Sequence, residues 1–287
     1  MSQAVFKSAI ATRRAVDYKT SPPRSSVRAR RQELEVKLAE LQQNYAELHT
    51  EVFEAAQVHR RMCAPRLVRQ GDFEIASEIF AVRHLPGDFF TVKTTNSGVI
   101  LALGDICGKG LAAGMWTTHL VGLVGARAAV FTEPETIVSG VNRDVCLMQS
   151  LVPLASLFVA RLDPKTGKFE YCSAGHPPAL LLRANGELES LSEGGLLLGV
   201  MPNAPYVRGS VQLNQGDLLL AYSDGVVESL NRADEEFGAG RIEEHLRRVQ
   251  QSTAEEALFS ILGAVQDHAS ARPIVDDTSL VVVRRRD

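Results

Sequence analysis

Four short acidic motifs are spread along the chain: Gly87-Asp88-Phe89-Phe90, Gly104-Asp105-Ile106, Ser223-Asp224-Gly225 and Asp276-Asp277-Thr278-Ser279. Each adjoins an apolar run that reads as a strand, and three of the four carry glycine beside the acid. Carboxylates at strand ends, next to backbone that can turn sharply, suit a hard divalent cation, because Mg²⁺ and Mn²⁺ take oxygen ligands in octahedral geometry. Acids this far apart in sequence meet only if the fold gathers them. The pattern points to metal-dependent hydrolysis.

The 287 residues, 45% of them hydrophobic, suffice for one good core and an appendage. A net charge of −3 implies no bulk attraction to nucleic acid or membrane. The charge is uneven, however: residues 1–31 hold eight Lys/Arg against the single acid Asp17. Cys63, Cys107, Cys146 and Cys172 have no paired C-x-x-C spacing and read as reduced thiols rather than a disulfide framework or zinc site. No apolar stretch approaches the ~18–20 residues needed to span a bilayer. Residues 1–20 lack a continuous apolar segment followed by a cleavage site. The expected location is the cytoplasm, with no nucleic-acid partner and no membrane insertion.

Three segments follow from texture. Residues 1–30, centred on Ser21-Pro22-Pro23-Arg24-Ser25-Ser26, read as a disordered basic tail with little apolar surface to offset ordering entropy. Residues 31–64 contain no Pro or Gly, and Leu34, Leu38, Leu41, Tyr45, Leu48, Val52 and Ala55 alternate by four and three. His59 and Met62 extend the register. That spacing is the seam of a coiled coil, and its narrowness favours a homodimer over a helix lying on its own domain. From about 71 to 287 strands and helices come in blocks. Strands are expected at 99–103, 155–162, 168–173, 179–183, 217–222 and 279–283, and helices at 111–131, 135–150, 240–250 and 254–269. Asp163-Pro164-Lys165-Thr166-Gly167 reads as a hairpin turn. Such blocks predict an α+β layered domain rather than a βαβ repeat.

The region from about 72 to 285 resembles the bacterial SpoIIE/RsbU-type serine phosphatases of the metal-dependent (2C-type) protein phosphatase superfamily. The resemblance rests on landmarks in family order: the Asp88 motif; Gly104-Asp105-Ile106-Cys107-Gly108-Lys109-Gly110; Ser173-Ala174-Gly175-His176-Pro177-Pro178; Leu198-Gly199; Gly216-Asp217; Tyr222-Ser223-Asp224-Gly225-Val226-Val227-Glu228; Phe237-Gly238; and the Asp276 motif. It implies a four-layer α-β-β-α sandwich, a centre of two Mn²⁺ or Mg²⁺ ions between the sheets, and phosphoserine or phosphothreonine protein substrates such as an anti-sigma factor antagonist. In the family pattern Asp105 bridges both ions and the Ile106 carbonyl completes one. Asp224 and Asp276 hold the second, and Asp88 supports the first. Asp277 is left open as a substitute for Asp276. There are departures: Pro86 stands where the family has glycine, Thr91 where it often has Asp, and Ser156 and Ser223 where it has Thr.

Rival motifs fail on chemistry. Gly104 to Lys109 is one residue short of a P-loop, and Gly110 replaces the hydroxyl that would meet Mg²⁺. Cys63 to Arg69 has a C-x₅-R spacing, but no glycine lies inside it and Pro65 removes an amide. Cys107 reads as a small buried residue open to oxidation. His176 reads as a strand-end histidine that fixes its loop rather than as an acid–base group. The contrasting functional reading is a dimeric scaffold with a weakly active phosphatase domain that binds partners. The Pro86 and Thr91 departures favour it and the intact acids oppose it.

Overall fold

The computed structural model describes residues 24–62, 67–82, 85–95, 98–148, 153–270 and 272–286. The chain divides into two units, 1–51 and 52–287.

Helix α1 (Arg24–Met62) begins inside the stretch expected to be a tail. In the first unit its apolar stripe is bare: Leu34, Leu38, Leu41, Tyr45 and Leu48 are all more than half exposed. Ion pairs one turn apart, Arg31–Glu35 and Glu33–Lys37, lace its surface. In the second unit the last turns of α1 bury Ala56, which is off the expected seam, together with the seam position His59, while the seam position Ala55 is exposed. Cys63 and the rest of the C-x₅-R loop through Arg66 lie outside the described residues.

The second unit is built on two antiparallel sheets. The first runs β1 (Leu67–Gln70), β2 (Phe73–Phe80), β12 (Thr278–Arg285), β11 (Leu218–Tyr222), β7 (Ala179–Leu182), β8 (Leu188–Leu191). The second runs β10 (Gly209–Gln212), β6 (Lys168–Ala174), β5 (Ala155–Leu162), β4 (Gly98–Ile106), β3 (Phe89–Thr95), with β9 (Gly194–Gly195) parallel to β6. Helices α2 (Leu111–Arg127) and α3 (Pro134–Leu147) cover the second sheet; α5 (Gly238–Arg248) and α6 (Ala254–Ala269) cover the first. The short α4 (Asp224–Val227) follows β11. This is the expected α-β-β-α sandwich.

Its central strands are apolar on both faces because each face meets a separate core. Along β4, Val99, Leu101 and Leu103 enter the core between the sheets, while Ile100, Ala102 and Ile106 pack under α2 and α3. Along β11, Leu219 and Ala221 face the other sheet, and Leu218, Leu220 and Tyr222 face α5 and α6. This period of two decides where the acids go. Carried to the strand ends, the inter-sheet parity selects Asp105 after Leu103, Ser156 before Phe158, Ser223 after Ala221, and Ser279 and Asp277 before Val281. Asp88 precedes Phe90 on the same parity. One alternation therefore builds the middle core and aims a set of polar side chains into the same gap.

The hairpin turn expected at 163–167 joins β5 to β6. Asp163 Oδ1 accepts from the Lys165 N–H at 3.0 Å and Oδ2 from the Thr166 hydroxyl at 2.8 Å. Helix α6 starts at Thr253, whose hydroxyl accepts from Glu256 N while the Glu256 carboxylate accepts from Thr253 N, a reciprocal cap.

Candidate metal centre

Asp88 and Asp105 meet across neighbouring strands. Phe89 pairs with Gly104, so the next step of the register sets Asp88 opposite Asp105; Ser156 lies opposite Asp105 on its other side. Asp88 is buried, and its Oδ2 has no hydrogen-bond partner. Burial, then the Asp105 charge, holds its carboxyl well above the usual range, while the Ser279 and Ser223 hydroxyls facing it pull the other way. Asp105 is pushed up to about 6, chiefly by burial, with Asp224, Asp276 and Asp277 adding negative charge around it.

The Ile106 carbonyl reaches the same place. A side chain at Gly87 would stand 3.2 Å from Asp105 Oδ1, 3.2 Å from the Ile106 oxygen and 3.3 Å from that of Gly108. Gly87 is thus the floor against which three oxygens converge, and Pro86 before it leaves this approach intact. Thr117 of α2 fixes that floor by donating to the Gly87 carbonyl at 2.9 Å.

Asp224 and Asp276 form a second pair. Asp224 opens α4, and burial followed by the Asp276 charge raises its pKa. Gly225 must lack a side chain here, since a Cβ would stand 2.0 Å from the Asp277 carbonyl. Asp276 Oδ2 lies 2.7 Å from the Lys109 ammonium, which also donates to the Val275 carbonyl at 2.7 Å. Asp277 points elsewhere: its Oδ1 accepts from Val82 N at 2.8 Å and its Oδ2 from Gly87 N at 2.7 Å. Both of its oxygens are engaged in holding the 82–87 loop.

The predicted acids are therefore gathered at one end of the inter-sheet gap, as two pairs. Among the described residues no three His, Cys, Asp or Glu side chains stand close enough to hold one ion together. The donors nonetheless fit a hard cation: they are all oxygens, one is a buried orphan, and burial, then the charges of neighbouring acids, raises the pKa of Asp88, Asp105 and Asp224. Lys109 supplies positive charge at Asp276. An open cavity of about 200 Å³ beside Asp276 is lined by Glu228, Leu230, Glu236 and Ile274 among others. Cys107 is exposed rather than buried, contrary to expectation, because the loop after β4 turns outward.

Sequence reasoning missed the Lys109–Asp276 pair, the Ser223 and Ser279 hydroxyls over Asp88, and Thr117. Gly-Lys-Gly was the available sign of the first. A threonine inside an apolar helix was the sign of the last.

Comparison with known proteins bears on the fold and the family. Residues 95–286 match the family described as Stage II sporulation protein E (SpoIIE). The chain is 24% identical over 247 residues to the phosphoserine phosphatase RsbU of Bacillus subtilis (strain 168), covering 84% of this chain and 71% of that protein. Among solved structures, the SiaA-PP2C domain of Pseudomonas aeruginosa superposes with a TM-score of 0.72 at 16% identity, covering 84% of this chain and 98% of that one. RsbX, solved in complex with magnesium, gives 0.55 at 19% identity over 76% of this chain and 97% of that one. The fold is that of the PP2C-type phosphatases. The chain belongs to the SpoIIE family, as a SpoIIE/RsbU-type serine/threonine phosphatase of the metal-dependent superfamily.

Proposed function

We propose that the chain hydrolyses phosphoserine or phosphothreonine on a signalling protein, such as an anti-sigma factor antagonist, using two Mn²⁺ or Mg²⁺ ions held by Asp88, Asp105, Asp224, Asp276 and the Ile106 carbonyl. The observation that carries this reading is the convergence of two repelling acid pairs, one with a buried, unpartnered oxygen on Asp88, at one end of the inter-sheet gap. When bound, such ions lower the pKa of water and neutralise phosphoryl oxygens, and no phosphoenzyme is needed.

The chain's own residues have separate tasks. Asp105, with a neighbour on each side, is the common acid of the centre. Asp277 is not among the ligands; it fixes the Asp88 loop through Gly87 and Val82. Lys109 holds Asp276 in the absence of a cation and is within reach of an incoming phosphate. The cavity beside Asp276 receives the chain around the phosphorylated residue. A domain at 71–287 carries the reaction, and α1 pairs two copies through its exposed stripe. The protein acts in the cytoplasm.

The test is Mn²⁺-dependent turnover of p-nitrophenyl phosphate and of a phosphoserine protein, with and without chelator. Wild-type turnover by Asp105→Asn or Asp224→Asn, or turnover unaffected by chelator, would overturn the assignment.

A further inference from the structure

His176 sits where the chain crosses from one sheet to the other, between β6 and β7. Gly175, at φ +64°, makes the turn that sends it inward. Ser173 Oγ accepts from His176 N at 3.1 Å and also bonds the His176 carbonyl at 3.2 Å, and two prolines follow, so the backbone is locked. The imidazole is buried, and its Nδ1 lies 2.7 Å from the hydroxyl of Ser156, the residue directly opposite Asp105. Burial keeps the ring neutral down to a pH of about 3, so it transfers no proton at working pH.

The other side of the ring faces the backbone of Tyr222, two residues before Asp224. Ser223 donates its N–H to Ser279 in β12, so Tyr222, one residue earlier, directs its N–H and C=O toward β7. Leu220 pairs with Leu180, and two more steps of that register bring Tyr222 to Pro178, which has no N–H. The ladder lacks a donor there, and Nε2 of His176 is the polar group at hand. Nε2 nevertheless makes no hydrogen bond at acceptable geometry. A buried donor without a well-formed hydrogen bond is costly, and the Tyr222 backbone that the ring faces is the acceptor that would satisfy it.

We infer that His176 is a positioning residue for the metal centre: it spans the sheets from Ser156, beside Asp105, to the Tyr222 carbonyl, beside Asp224, and its second bond forms when a cation draws those acids together. The imidazole then accepts from Ser156 and donates from Nε2. This explains why a histidine followed by two prolines stands at this turn. The inference rests on the metal-dependent reading above.

The test separates metal affinity from turnover in the full chain. Mn²⁺ and Mg²⁺ binding is measured by calorimetry without substrate for wild type, His176→Phe, Ser156→Ala and Ser156→Thr, with urea melts to check folding. Ser156→Ala and His176→Phe are expected to weaken binding on the order of tenfold, as loss of groups that orient metal ligands does. Ser156→Thr restores it, and kcat at saturating metal changes less than affinity does. In ¹⁵N-labelled protein the His176 Nε2–H signal becomes protected on adding Mg²⁺. Folded Ser156→Ala with wild-type affinity and an Nε2–H unchanged by Mg²⁺ would overturn the inference while leaving the phosphatase reading intact. Should His176→Phe fail to fold, Ser156→Ala and the wild-type resonance still decide. Wild type that binds no metal would overturn both.

Discussion

The carboxylate of Asp277 accepts the N–H of Gly87 at 2.7 Å, joining residues 190 positions apart in sequence. Its other oxygen takes the N–H of Val82. One buried side chain thereby ties the loop that delivers Asp88 to the strand that follows Asp276. Asp277→Asn offers a single carbonyl oxygen to two donors and turns an NH₂ toward the other. The expected loss is about 1–3 kcal/mol of stability, together with a weaker response to Mn²⁺. Asp276→Asn, at a half-exposed site, should instead leave urea stability nearly unchanged and remove activity. If both variants lose stability equally, Asp277 has no anchoring role distinct from its neighbour.

The metal-free protein has a predictable pH response. Asp105 is raised to about 6, above its unfolded value of 3.8, and Asp88 and Asp224 move in the same direction. Between these values the folded state holds protons that the unfolded chain has released. The share of these acids in the stability of the metal-free protein should therefore fall as pH rises from about 4 through 6, while His176, kept neutral down to about 3, and His59, lowered by burial, add a share that rises over the same range. Asp105→Asn should flatten that slope and stabilise the metal-free protein at neutral pH. Added Mn²⁺ should reverse it, since binding needs the deprotonated acids. Urea midpoints of wild type and Asp105→Asn from pH 4 to 8, with chelator and with Mn²⁺, check all three; a difference between the two proteins that does not change with pH under chelator contradicts the first.

Lys109 supplies the positive charge at Asp276, at a site where both side chains remain more than a third exposed. Such a pair contributes little to stability, about 0–1 kcal/mol. Its larger effect is competition with an incoming cation. Lys109→Gln should leave the melting curve almost unmoved, tighten Mn²⁺ binding, and raise KM for a phosphorylated substrate. Calorimetry alongside steady-state kinetics reads both effects. Weaker Mn²⁺ binding in this variant would mean that Lys109 orders the centre rather than competing for it.

Much of this fold is legible in the sequence, and the exceptions share a cause. The 155–162 strand and the 254–269 helix occur at the expected bounds. Their patterns are strong because each packs on a complete core face. β2 was not expected, since Glu74, Ser77 and Glu78 interrupt its apolar run; Glu74 is buried against Arg69 across the β1–β2 hairpin. β3 is read in the sequence only as the apolar run beside Asp88 and without bounds, because Thr and Lys fill the rest of this edge strand. The four acids were legible as a set because each adjoins an apolar run and glycine marks three of them. Their sorting into Asp88–Asp105 and Asp224–Asp276, and the diversion of Asp277, depends on hydrogen bonds and register between distant segments, which leave no local pattern.

The N-terminal helix yields a prediction that depends on where it is cut. Up to Glu51 its apolar stripe is exposed, and Leu41, Tyr45 and Leu48 are the residues a second copy would cover. Beyond Val52 the helix belongs to the other unit, where Ala56 and His59 are buried. Burial lowers the His59 pKa, with the Asp277 charge opposing it, so the ring lies within the field of the residue that anchors the Asp88 loop. A chain of residues 52–287 should be monomeric, well folded and close to wild type in metal response. Removal of residues 1–64 should also give a monomer, but with lower stability and an altered Mn²⁺ titration, because it strips the buried turn beside Asp277. His59→Leu, which keeps the burial and removes the imidazole, should shift the titration without changing assembly. Light scattering and Mn²⁺ titrations of the four proteins distinguish the two parts of the helix. A monomeric full-length chain at micromolar concentration removes the dimer, and identical titrations for all four remove any influence of the helix on the metal centre.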